Sequence, residues 1–165
     1  CQEFGAELFT LERAAFRFFG LMSRAVHVNG LRADGRVWCG RRAPHKATDP
    51  GCLDQLAAGG VAAGEDLLAC ARRELAEEAG VPAALSAGLR PCGAWRVTRP
   101  VPEGQHDEVL HVFELRLSED FVPVNRDGEV SEFLLLTPAE LARRLPEFSP
   151  DAAAVLRLSL LRAGL

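Results

Sequence analysis

Apolar positions recur at two periods along the chain, and the switches between them mark out its elements. From Thr10, the run LERAAFRFF repeats at a helical period that puts Leu11, Ala14, Ala15 and Phe18 on one side, with Thr10 as cap and Gly20 as stop. AVHVNGL and RVWCGRR are β-rich runs, and Asp34-Gly35 between them suits the tight turn of a hairpin. From Arg42 to Gly60 the recurrent Pro and Gly predict a loop with at most a short strand. A helix then opens near Asp66 and stops at Gly80, because Gly can take the left-handed closing position and Pro82 cannot continue a helix.

Beyond that helix, CGAWRVT, EVLHVFELRL and EFLLL read as strands. Thr137-Pro138-Ala139-Glu140 has the form of a capping box, and Ser149-Pro150-Asp151 opens a last helix running to about Ala163-Gly164. Helices that cover both faces of a central mixed sheet make an α/β/α sandwich. Residues 1–20 are expected to form a helical segment, the tail of a preceding region, and residues 21–165 the main domain.

Composition narrows the functional classes. A formal charge of −4 over 165 residues gives no global attraction for nucleic acid, so an anionic ligand has to be held by local cations or metal. No apolar run approaches the roughly 20 residues needed to span a bilayer. The cysteines, Cys1, Cys39, Cys52, Cys70 and Cys92, are odd in number and form no C-x-x-C pair, which signals neither a disulfide framework nor zinc and fits a reducing cytoplasm.

The chemistry is concentrated between Gly59 and Val81. Gly59 is followed after five residues by Glu65 and, after seven more, by Arg73-Glu74-Leu75-Ala76-Glu77-Glu78-Ala79-Gly80-Val81. At 100° per residue, Glu77, Glu74 and Glu78 span roughly 100° of one helix face. Such a cluster opposes helix formation unless a cation neutralises it. Oxygen-only ligands point to Mg²⁺ or Mn²⁺, which also bind phosphates. Leu67, Leu68, Ala71 and Leu75 form an adjoining apolar stripe that would pin the helix to the sheet, and the planar fork of Arg73 can orient a carboxylate.

This pattern closely resembles the Nudix box, and the order of strands and helices extends the resemblance over about 140 residues. The resemblance implies a metal-dependent enzyme that cuts a diphosphate linkage by attack of water on phosphorus. It makes Glu74 and Glu78 the principal metal ligands, assisted by Glu77 and the carbonyl of Ala58, with Glu65 auxiliary and Arg73 supporting. Family members differ in which glutamate acts as base, so Glu108 and Glu129 join the box glutamates as candidates. Arg41, Arg42 and Lys46 stand where they could bind phosphate. Trp38 and Trp95 could stack on a flat ligand but suit a core at strand positions, and His27, His111 and Cys70 read as packing residues.

Two rival activities are weighed on the same residues. An isopentenyl diphosphate isomerase would carry a cysteine and a histidine where this chain has Ala58 and Gly60, and a non-catalytic binding module would have an eroded box. The stretches AVHVNG, RRAPHKATDPGCLDQLAAGG, RPVPEGQHDEVLHVFEL and DGEVSEFLLLTP resemble the Nudix domain of the thiamine pyrophosphokinase-related group. That narrower resemblance implies thiamine diphosphate or its oxidised analogues as substrate, cleaved to the monophosphate. A nucleoside diphosphate derivative such as ADP-ribose, or a damaged nucleotide, is the alternative.

Overall fold

The computed structural model describes residues 2–3, 6–7 and 9–162. Short strands β1 (Gln2–Glu3) and β2 (Ala6–Glu7) pair antiparallel, and α1 (Arg13–Phe19) follows. The expected helical segment is therefore partly β, and the helix starts later than Thr10. No side chain caps it; Glu12 holds the cap position, while Gly20 closes it in the left-handed region at φ 63°. Two residues of the expected apolar side are exposed, Phe18 at 74% and Leu11 at 39%. Phe16, one turn from Glu12, is partly buried.

The central sheet contains β3 (Ser23–Leu31), β4 (Val37–Arg42), β5 (Leu53–Asp54), β6 (Ala57–Gly60), β7 (Arg90–Val101), β8 (Gly104–Arg116) and β9 (Val130–Leu136). Its order is β5-β4-β3-β8-β7, with β6 also on β3 and β9 also on β4. Only β3 and β8 run parallel among these pairs, so the sheet is mixed. The β3–β4 hairpin turns at Gly35 with φ 83°, and the Arg36 amide donates to the Asp34 carboxylate at 3.1 Å, the Asp-Gly chemistry read from sequence.

The stretch expected to be mostly loop holds both β5 and β6. Small residues at Ala57 to Gly60 lack the bulk that usually signals a strand, yet their backbone pairs with Ala25 to Val28 of β3. The strand read from Glu108 onward begins earlier, at Gly104, so Glu108 lies inside β8, opposite Ser23.

Side-chain alternation sends successive strand residues to opposite layers. Val26, Val28, Trp38, Phe113 and Leu115 pack with Cys70, Ala71, Leu75 and Ala79 of α2 (Leu67–Ala79). On the other face Val37, Cys39 and Leu53 meet Leu141 of α4 (Pro138–Arg144) and Leu156 of α5 (Pro150–Arg162), while Leu110 and Val112 meet Val155. The two layers confirm the α/β/α sandwich. A short α3 (Ala83–Ser86) links α2 to β7. Thr137 and Glu140 form the complete capping box of α4; the expected end of α5 at residues 163–164 lies outside the described residues.

Candidate active site

Helix α2 is positioned at both ends and along one side. The Asp66 side chain accepts the amides of Leu68 and Ala69, satisfying two of the free donors of the first turn, and Gly80 closes the helix at φ 63° with its amide on the Leu75 carbonyl. Cys70, Ala71, Leu75 and Ala79 are fully buried. Their packing turns Glu74 and Glu78 toward β6. The Ala58 amide donates to Glu78 Oε2 at 2.8 Å, and the Cys70 thiol donates to the Gly60 carbonyl at 3.6 Å. The Glu74 carboxylate lies over Gly59 so closely that a Cβ there would stand 2.0 Å from its Oε1. Glycine at this position is a steric requirement of the site.

The three box glutamates share a helix face but not an environment. Glu77 is half exposed, whereas Glu74 and Glu78 are 8% and 6% exposed. Glu78 is thus buried rather than on a solvated face, because Leu75 and Ala79 draw its side of the helix down. Burial pushes its pKa well up; the Ala58 amide opposes that rise, and the nearby Asp54 and Glu74 carboxylates add to it. Burial also raises Glu74, against the pull of Arg73. Two adjacent carboxyls held with raised pKa values are poised for a cation to offset their mutual repulsion.

Arg73 stands among the carboxylates that the sequence expects it to orient. Its Nη1 donates to Glu74 Oε1 at 2.7 Å and Glu77 Oε2 at 3.2 Å, while Nε and Nη2 donate to the two oxygens of Glu65 at 2.9 and 3.1 Å. Glu65, the expected auxiliary ligand, has both oxygens on Arg73 and a further bond from the Ala62 amide, so it anchors the arginine and does not border the cavity beside Glu74. The Arg73 fork, then the Ala62 amide, lower its pKa to about 2.

Ala58, Gly59, Glu74 and Glu77 border a cavity of about 850 Å³ in which carboxylates outnumber cations. Arg42 lines it but is committed: Nη1 donates to Asp54 at 3.0 Å, and Nε and Nη2 both donate to the Thr48 carbonyl. Lys46 pairs with Glu129, so one expected phosphate ligand neutralises one expected base. Arg41 lies outside the cavity. Strand alternation turns it away from Arg42, toward Glu132 and the Gly51 carbonyl, which removes it from the expected phosphate-binding set.

Neither tryptophan borders the cavity; Trp38 is core and Trp95 is partly buried beside Val112 and Val155. The phenylalanine that does border it is Phe16. His27, expected to be a packing residue, also borders the cavity; its Nδ1 lies 2.7 Å from Gln55 Oε1, and Gln55 donates to the Ala152 carbonyl. His111 borders no described cavity, and burial, then Arg24, depress its pKa. Cys70 packs as expected, and Cys39, Cys52 and Cys70 are free thiols.

A cluster unforeseen in the sequence stands along the same cavity. His106, Glu108 and Asp151 bring one ligand atom each within 4.8 Å of one another. Ser23 donates to Glu108 at 2.7 Å, and Asp151 pairs with Arg99 and with His106 at 3.1 Å. Burial works to raise the Asp151 pKa, but His106 and Arg99 outweigh it and hold the carboxyl low. Asp151 was visible in sequence only as a helix-opening residue; its 45-residue separation from His106 hid the contact.

Comparison with known proteins supplies an independent line of evidence. A NUDIX domain model matches residues 22–158. The chain is 37% identical over 163 residues to Nudix hydrolase 24, chloroplastic, of Arabidopsis thaliana, covering 95% of this chain and 45% of the relative. It is 36% identical over 162 residues to Nudix hydrolase 20, chloroplastic, of the same plant, covering 94% and 43%. The chain therefore spans less than half the length of these curated relatives. The crystal structure of DR0079 from Deinococcus radiodurans superposes with a TM-score of 0.68 at 28% identity, over 82% of this chain and 81% of that one. With that match on the same residues that build the α2 site, the chain belongs to the NUDIX family.

Proposed function

We propose that this chain hydrolyses a diphosphate linkage in a small molecule, using Mg²⁺ or Mn²⁺ held by Glu74 and Glu78 with help from Glu77 and the Ala58 carbonyl. The observation that carries the reading is the closeness of the Glu74 carboxylate to Gly59, beside a second buried glutamate with raised pKa. The donor set is all oxygen, which suits these hard cations. When bound, the cation supplies positive charge against the diphosphate oxygens and makes the attacking water more acidic. Arg73 holds Glu74 and Glu77 in place. Glu77, Glu108 and Glu129 all line the cavity and can accept the proton that the water gives up as it attacks phosphorus and the bridging P–O bond breaks.

The substrate we propose is thiamine diphosphate or an oxidised analogue, giving the monophosphate. Its support is the narrow sequence resemblance together with a cavity rich in carboxylates, which favours a ligand that carries a cationic ring as well as its phosphates. A screen of thiamine diphosphate, its oxidised analogues, ADP-ribose, nucleoside triphosphates and isoprenoid diphosphates at equal concentration with Mg²⁺ tests both levels. Monophosphate release from the thiamine compounds supports the whole reading. A nucleotide preferred by more than about tenfold, roughly 1.4 kcal/mol of discrimination, removes the thiamine assignment and keeps the chemistry. Isomerisation without phosphate release removes the hydrolase reading.

A further inference from the structure

The cations of the cavity are unequally committed. Arg42, Lys46 and Arg73 each face at least one carboxylate, and Arg42 and Arg73 have their donors divided among several acceptors. Arg17, on the cavity side of α1, forms no ion pair or side-chain hydrogen bond among the described residues. A cation left without a counter-charge where carboxylates predominate is a site waiting for an anion that the protein does not itself supply.

The helix that carries it is firmly placed. Gly104, the first residue of β8, has φ +136°, and a Cβ there would stand 2.3 Å from the Arg17 carbonyl, so the start of the strand and the helix backbone touch. At its end the Leu21 amide donates to the Phe16 carbonyl at 2.9 Å, and the chain passes directly into β3 at Ser23. Three residues along that strand Val26 pairs with Gly59, so α1 leads through one strand to the glycine beneath Glu74, and Arg17, Gly59 and Glu74 border the same cavity. The matched NUDIX domain begins at residue 22, so this wall is built by residues outside it.

We propose that Arg17 is an anion-binding residue of the substrate site, receiving the phosphate oxygens farther from Glu74, so that α1 selects substrates by where their negative charge lies. The inference rests on the proposed diphosphate chemistry and extends it to an element outside the matched domain. Phe16 and Leu21 beside it offer an apolar surface to the rest of the molecule.

Calorimetric titration of methylenediphosphonate with Mg²⁺ into the full chain tests the assignment without turnover. Arg17→Gln is expected to weaken binding about tenfold or more, the scale of one lost charge-assisted contact, with the difference shrinking as salt is added. Arg17→Lys, which keeps the charge, is expected to retain most of the affinity. Equal affinity of Arg17→Gln and wild type overturns the role of Arg17 and leaves the hydrolase reading standing. A Lys variant as weak as the Gln variant overturns it as well, by assigning the loss to packing. Failure of the wild type to bind the probe at all overturns both readings.

Discussion

Replacing Gly59 by alanine should separate catalysis from stability. The new Cβ would lie 2.0 Å from Glu74 Oε1, 2.1 Å from Cδ and 2.6 Å from Oε2. Ordinary carbon contacts need about 3.5 Å, so the carboxyl must retreat by roughly 1.5 Å. Because the obstructed atoms are the free end of a side chain, the fold loses only a rotamer preference, about 0.5–1.5 kcal/mol. The site loses more, since a misplacement of about 1 Å in a reacting constellation can cost on the order of 100-fold in rate. Gly30→Ala is the matched control. Its Cβ would stand 2.6 Å from Leu56 Cδ2 and 3.1 Å from Leu117 Cδ1, inside the core, so it should cost about 1–3 kcal/mol while the folded fraction keeps its activity. Urea unfolding and Mg²⁺-dependent monophosphate release on both variants decide the matter. Wild-type activity in Gly59→Ala would refute the placement of Glu74 at the reacting centre.

Other expectations follow from the same geometry. Glu78→Gln should reduce Mg²⁺-dependent turnover by more than the roughly 10- to 100-fold typical of groups that only support a ligand. The same variant should melt higher than wild type in chelator at neutral pH. Burial raises the folded pKa of Glu78, so its stabilising contribution is complete below the unfolded value of 4.5 and is lost as pH rises through the folded one; the melting difference should therefore vanish below about pH 4.5, and a constant difference across pH would contradict the burial argument. Arg73→Lys should behave like Arg73→Ala in a metal titration, about 10- to 100-fold weaker, because an ammonium cannot span Glu65, Glu74 and Glu77 at once; wild-type affinity in the lysine variant would reduce Arg73 to a surface charge. Leu75→Ala, at a fully buried position joining α2 to the sheet, should cost about 2–5 kcal/mol in denaturant, and a smaller loss would mean that the helix is anchored elsewhere.

What the sequence revealed followed from local, periodic signals. The limits of α2 were legible because Asp66 and Gly80 each act on backbone groups within a turn, and the arc of Glu74, Glu77 and Glu78 follows from helix geometry alone. Which part of that arc is buried depends on β6, and β6 was hidden because Ala57-Ala58-Gly59-Gly60 carries none of the bulk that identifies a strand. The commitments of Arg41, Arg42 and Lys46 were hidden for a related reason. Their partners Glu132, Asp54 and Glu129 are brought near by sheet pairing and loop closure, so positive charge near the box could be read but its availability could not. The contact between His106 and Asp151 joins β8 to the start of α5, a relation that exists only once the sandwich is assembled.

The outermost strand on one side, β7, has a consequence for how the protein behaves when concentrated. Its inner rim is hydrogen-bonded to β8 along nearly its whole length, but Pro91 and Pro100 have no amide hydrogen to offer, and the register shifts between Pro91 and Gly93. Arg90 adds exposed positive charge, while Arg96 is exposed but paired with Asp107. A neighbouring chain seeking to extend the sheet would meet missing donors near both ends, a bend and the charge of Arg90, so growth of the sheet into fibres is obstructed at this border by the same residues that finish the fold.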